Sequence, residues 1–174
     1  MIEVGVLTGN SWTAADWPAI AQTSVEAAVA ATPYAALALM PLTLEVAVKL
    51  SGDDEVQTLN RDFRDKDKPT NILSFPQTPP DLLLALSTSA AGAAAGDDAE
   101  AILGDMILAG ETCIREAADK KISLEQHVTH LIVHGTLHLL GYDHIEEAEA
   151  SDMETLETQI LAGLGVPDPY GDRD

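Results

Sequence analysis

All five histidines of the 174-residue chain fall in one stretch, HVTHLIVHGTLHLLGYDH, residues 127–144. A helix turns ~100° per residue, so His127, His130, His134 and His138 share one stripe if the segment is helical. The i,i+4 spacing then allows two ligand pairs, 130/134 and 134/138. Ser123 and Gln126 offer a capping box at the start of a helix running from Ser123 to Leu140, and Gly141 can end it in a left-handed conformation. That turn is expected to bring His144 back toward the side on which His134 and His138 point. Three imidazoles then converge on one cation, and three neutral nitrogens with an open fourth position suit a single catalytic Zn2+, although Ni2+ or Cu2+ would also bind imidazole. His127 and His130 are expected either to support a ligand or to lie at the surface nearby, without binding the metal.

The positions of His134, His138, Gly141 and His144 match the longer zinc-protease pattern H-E-x-x-H-x-x-G-x-x-H, but Gly135 stands where those proteases carry the general-base Glu. The missing carboxylate counts against peptide hydrolysis. A phosphodiester makes a different demand, because charge builds on its oxygens and a cation nearby is more useful than a carboxylate. Water on zinc in such sites titrates near ~7, so no dedicated base is required. The segment NRDFRDKDKPTNILSFP, residues 60–76, offers the cation. Arg64 presents a planar fork matched to phosphate oxygens, while Arg61, Lys66 and Lys68 read equally as phosphate contacts or as solvated charges. Asp143 either orients a ligand, accepts a proton, or is the surface residue of a turn.

The remaining chain bounds these readings. Net charge is −20, yet four of the nine basic residues, Arg61, Arg64, Lys66 and Lys68, lie within eight positions. Positive charge is local, and an RNA partner is not excluded. The acids Glu146, Glu147, Glu149, Asp152, Glu154 and Glu157 are read as one solvated face. A single cysteine, Cys113, allows no internal disulfide and no zinc ribbon. The N-terminus lacks a signal-peptide pattern, and no apolar run reaches the ~20 residues of a spanning helix, so a soluble cytoplasmic protein with no membrane partner is expected.

Strands are predicted at 2–8, 42–50, 70–76 and 103–109, and helices at 15–31, 55–63, 111–120, 123–140 and 146–162. The last of these places Met153, Leu156, Ile160 and Leu164 on its apolar face. Residues 77–100 read as a long Ala/Gly-rich loop with at most one helical turn at DLLLAL. The expectation is one α+β domain spanning residues 1–174, a mixed four-stranded sheet with about five helices packed on it.

HGTLHLLGYDH, the preceding LGDMILAGE, FRDKDKPTNILSFP and the closing DPYGD together resemble the YbeY endoribonucleases, bacterial rRNA maturation factors, from about residue 40 to the end. The resemblance implies one Zn2+ held by His134, His138 and His144, and a functionally important arginine at Arg64. It also implies single-strand-specific RNA cleavage in 16S rRNA 3′-end maturation and ribosome quality control. Because an acidic chain binds RNA weakly alone, docking on the small ribosomal subunit or a ribosomal protein is expected. Two rival readings remain: a zinc peptidase or amide hydrolase with a base such as Asp143, and a non-catalytic ribosome assembly factor with a structural metal. The Ala/Gly-rich loop and the strong acidity depart from the expected family pattern.

Overall fold

The alternation in TLEVAVKLS makes a strand whose leucines and valines face a core, and this segment forms β2 (Thr43–Ser51) near the middle of a four-stranded sheet. In the computed structural model of the chain, residues 1–88, 99–143 and 146–170 are described. β1 (Ile2–Thr8) pairs parallel with β2, and β2 pairs parallel with β4 (Glu100–Ala109). β3 (Ile72–Pro76) lies antiparallel to β4 on the far edge, giving the order β1-β2-β4-β3. The parallel pairs require crossovers, supplied by α1 (Trp17–Ala30) and by α2 (Asp53–Arg64) with its following segments. β4 is nearly continuously buried over LGDMILA because helices cover both faces of the sheet there. The domain is α+β, as expected.

α5 (Leu124–Leu139) is the central helix, preceded by α4 (Gly110–Lys120). Its side chains are buried on nearly every face, from His127 and Val128 through Leu137 and Leu139. A helix buried on nearly every side belongs to the core, and its buried His127, His130 and Thr136 are the polar exceptions. α1 and the sheet pack on it through Val25, Val29, Leu44, Met106, Val128 and Ile132, all at most 1 % exposed. The predicted capping box is present: Ser123 Oγ accepts from the Gln126 N–H at 3.1 Å, and the Gln126 side chain accepts from the Ser123 N–H at 3.3 Å. α2 and α4 cap one another at the C-terminal ends of the two inner strands, β2 and β4. Asp53 Oδ1 accepts from the Thr112 N–H at 3.1 Å, while Glu111 Oε2 accepts from the Asp53 N–H at 3.1 Å.

Two differences from the sequence reading have local causes. The DLLLAL segment is more than one turn: α3 (Pro80–Thr88) is a sixth α-helix among the described residues, started by Pro80 and anchored by the fully buried Leu83. The rest of the predicted loop, residues 89–98, lies outside the described residues. β4 begins at Glu100 instead of residue 103, and a bulge lets it run that far, because Glu45 pairs with Ile102 while Val46 pairs with Gly104. The final helix, α6 (Glu147–Gly163), buries Met153, Glu157, Ile160 and Leu161 against Val133, Leu137 and Ala28. Each of the apolar side chains contributes about 1.5–3 kcal/mol before ordering entropy is subtracted. Among the described residues no helix is long and apolar enough to cross a membrane.

Replacing Ser123 by Ala removes the cap acceptor and is expected to cost about 1 kcal/mol. For a chain of this size that lowers Tm by about 2–4 °C in a thermal melt, with the far-UV signal of the folded state unchanged.

Candidate functional site

Where α2 ends, the chain turns sharply: Asp65 takes a left-handed conformation, φ 58°, and its N–H and that of Lys66 close onto the carbonyls of Arg61 and Asn60. The basic loop that follows is tied down from beneath. Asn60, only 3 % exposed, donates from Nδ2 to the Lys68 carbonyl at 2.9 Å, and Gln57 donates to Asp67 Oδ1 at 3.0 Å. Arg64 lies along β3, its guanidinium 5.5 Å from the centre of the Phe75 ring and donating to the Ser74 carbonyl at 2.9 Å. The remaining N–H groups of that five-donor fork have no protein acceptor among the described residues. A cleft of roughly 750 Å3 opens between this segment and α5. Its lining includes three cations, Arg64, Lys66 and Lys68, together with His134, His138 and Asp143.

The two histidines are oriented through their Nδ1 atoms. After α5 the chain makes a Schellman turn: Gly141 has φ +99°, its N–H reaches the His138 carbonyl and the Tyr142 N–H reaches the Leu137 carbonyl, both at 3.0 Å. The turn folds Tyr142 back so that its carbonyl accepts from His138 Nδ1 at 3.0 Å. A β-carbon on residue 141 would also lie 2.6 Å from Pro80 Cγ, so glycine is required here on two counts. His134 Nδ1 donates to Glu157 Oε1. A carbonyl and an ionised carboxylate only accept, so both Nδ1 atoms carry a proton, and Nε2 is in each ring the nitrogen suited to a metal. Those two Nε2 atoms face one another at 3.0 Å. Two lone pairs at that distance repel unless a cation, a proton or a metal, lies between them.

Glu157 is fully buried and receives three hydrogen bonds, from His134, from His130 Nε2 at 3.3 Å and from the Tyr170 hydroxyl at 2.5 Å. Burial by itself would push its carboxyl up. The donors His130, His134 and Tyr170 outweigh burial and hold it down at about 2. The acidic segment is therefore not a uniformly solvated face, because one of its members is buried beneath His134. A sequence signal existed. Glu157 falls four residues after Met153 and three before Ile160, a carboxylate set into an apolar stripe. His127 and His130 are both buried, not surface groups. His127 Nε2 bonds Glu116 Oε1 at 2.9 Å, and burial pushes its imidazole below the usual histidine value while Glu116 opposes that shift. Glu116 also accepts from Asn71 Nδ2 at 3.0 Å at the start of β3.

A family model for the endoribonuclease YbeY matches residues 11–165. A YbeY endoribonuclease of Sphingopyxis alaskensis is 53 % identical over 175 residues, covering all of both chains. That of Rhizorhabdus wittichii is 52 % identical over 171 residues, 98 % of this chain and 97 % of its own. The chain belongs to the YbeY endoribonuclease family. Membership brings the coarse activity, hydrolysis of RNA phosphodiester bonds. A solution structure from Thermotoga maritima shares the fold, with a TM-score of 0.51 at 20 % identity, covering 100 % of this chain and 97 % of that one.

The structure brings Arg64, His134 and His138 to one cleft, whereas His144, the third expected ligand, lies outside the described residues. Gly135 has a different meaning from the one read in the sequence. A β-carbon there would meet Met106 Sδ at 2.5 Å, Ile72 Cδ1 at 2.9 Å and Ser74 Oγ at 3.0 Å, so the glycine lets α5 sit directly on β3 and β4. Position 135 is a packing contact with the sheet, and no carboxylate fits it. Gly135→Glu is expected to cost about 3 kcal/mol or more through overpacking and a buried charge, lowering Tm by about 6–12 °C without conferring peptidase activity. Gly135→Ala, whose added contacts are partly offset by ~1 kcal/mol of helix propensity, should lose about 1 kcal/mol. Thermal melts and a peptide-cleavage assay check both.

Proposed function

We propose that the chain is a single-strand-specific, zinc-dependent endoribonuclease acting in 16S rRNA 3′-end maturation and ribosome quality control. In this reading His134, His138 and His144 hold one Zn2+. The observation that carries it is the pair of Nε2 atoms 3.0 Å apart, each ring fixed by its own Nδ1 bond, in a cleft lined by three cations. The donor set fits: two nitrogens bound tetrahedrally to zinc at about 2.0–2.1 Å lie about 3.3 Å apart, close to that spacing. When bound, Zn2+ supplies Lewis acidity toward a phosphoryl oxygen.

The protein's own groups do the rest. Arg64 is held in the plane of β3 by the Ser74 carbonyl and the Phe75 ring, with N–H groups left for phosphoryl oxygens. It stabilises the charge that accumulates on those oxygens. Lys66 and Lys68, on a loop fixed by Asn60 and Gln57, hold the flanking backbone of a single strand without reading its bases. Asp143 lines the same cleft and is the candidate proton acceptor. Gly135 leaves no place for the base that a peptidase of this motif uses, which favours RNA over peptide.

The charge arrangement also supports a docking partner. Three cleft cations on a chain of net charge −20 make a short, weak RNA footprint, so the small ribosomal subunit or a ribosomal protein supplies the remaining affinity in the cytoplasm. With three phosphate contacts, single-strand affinity should fall with salt at a log–log slope of about −2, three times ~0.7.

Metal analysis of the purified protein is expected to find one zinc, and chelation should abolish cleavage of a 16S precursor. Folded Arg64→Ala should lose about 100-fold or more in cleavage rate while retaining zinc, and His138→Ala should lose both. Equal processing by wild type, Arg64→Ala and His138→Ala would leave a non-catalytic assembly factor. Chelator-sensitive peptide turnover with RNA left intact would establish the amide hydrolase instead.

A further inference from the structure

Glu157 is the only carboxylate among the described residues with 0 % exposure, and it stands in the stripe of α6 that otherwise carries Met153, Ile160 and Leu161. A leucine at that position would dock α6 more simply, since an ionised group taken out of water is costly unless every lone pair is matched. Here three donors meet its about four lone-pair sites, and both oxygens are engaged. Oε1 accepts from His134 Nδ1, and Oε2 accepts from the Tyr170 hydroxyl at 2.5 Å and from His130 Nε2 at 3.3 Å. Tyr170 itself is seated by Asp168, whose Oδ1 accepts from the Tyr170 N–H at 2.8 Å and from the Thr158 hydroxyl at 3.2 Å. The chain's last described residues thus close onto the back of His134, opposite the Nε2 atom that meets His138. The Tyr170 ring also packs edge-on against His130, with centroids 5.8 Å apart.

We propose that Glu157 is a positioning residue for the metal centre: it fixes the Nδ1–H tautomer and ring angle of His134, and Tyr170 with His130 holds the carboxylate in place for that task. The inference rests on the zinc reading given above. A ligand imidazole whose far nitrogen donates to a carboxylate presents a more basic near nitrogen in a fixed direction, and loss of such a carboxylate weakens metal binding by about 10- to 100-fold. His138 obtains the same orientation from a backbone carbonyl, so the two ligands are set by two different devices. α6 and the Asp168–Tyr170 segment, which carry no cleft residue, become parts of the active site through one side chain.

The test uses the full chain with Glu157→Gln, Glu157→Ala and Tyr170→Phe. Zinc affinity is read by competition with a chromophoric chelator, and the His134 tautomer by 15N imidazole shifts in the zinc-free protein. Expected results are Nδ1–H His134 in wild type, a shift toward the Nε2–H form in Glu157→Ala, and zinc bound about 10- to 100-fold more weakly. Glu157→Gln, which keeps an acceptor oxygen, should recover part of both. Tyr170→Phe should weaken zinc by a smaller factor at unchanged fold. Wild-type zinc affinity and an unshifted tautomer in folded Glu157→Gln and Tyr170→Phe overturn the proposal, and these two near-isosteric variants decide it even if Glu157→Ala does not fold. A wild type that takes up no zinc overturns the metal reading and the zinc half of this one. The tautomer, read without metal, then decides by itself whether Glu157 orients His134.

Discussion

The contact on which the site depends is the close seat of α5 on β3 and β4 at Gly135. With Met106, Ile72 and Ser74 all within 3.0 Å of where a β-carbon would stand, any larger residue forces the helix away from the sheet. Because α5 is rigid and buried on nearly every side, its distance from β3 sets how far His134 and His138 stand from the Arg64 that lies along that strand. The cleft is thus the gap left between a helix pressed onto a sheet edge and the basic loop fixed across from it. Small changes at the contact move imidazole nitrogens and guanidinium relative to each other.

Polar groups complete what packing begins. The apolar faces of α1, α5 and α6 place the helices, but they leave imidazole rings free to choose tautomer and angle. That choice is made by acceptors behind the rings: the Tyr142 carbonyl, delivered by the turn at Gly141, and the Glu157 carboxylate, delivered by α6. Asn60 plays a comparable part on the other wall, where one buried amide fixes the backbone that carries Lys68. In each case a hydrogen bond to a group with a single possible role removes an ambiguity that hydrophobic burial cannot.

Much of this was legible in the residues because it is local. The capping box at Ser123 and Gln126, the glycine stop at Gly141, the histidine stripe and the basic run after Phe63 all rest on spacings within one or two turns, and each appears at or near its expected boundary. Less local features were misread. α3 was taken for a single turn because its short apolar run lies inside a low-complexity segment, and only contact with the core anchors Leu83. Glu157 was grouped with its exposed acidic neighbours, since charge composition is averaged along a segment while burial is decided residue by residue. Gly135 was weighed against a protease motif when its reason lay across the sheet, in residues 29 to 63 positions away.

By itself, then, the sequence determined most of the elements and the helix that carries His127, His130, His134 and His138, because helical period, caps and glycine turns act within a few residues. The tertiary structure decided which groups meet. It brought Arg64, Lys66 and Lys68 from the α2–β3 segment to the histidines of α5, and it placed Glu157 beneath His134. Such meetings depend on the distance between packed layers and on which face of α6 turns inward. Those quantities are set by the volumes of side chains far apart in the chain, and no local pattern encodes them.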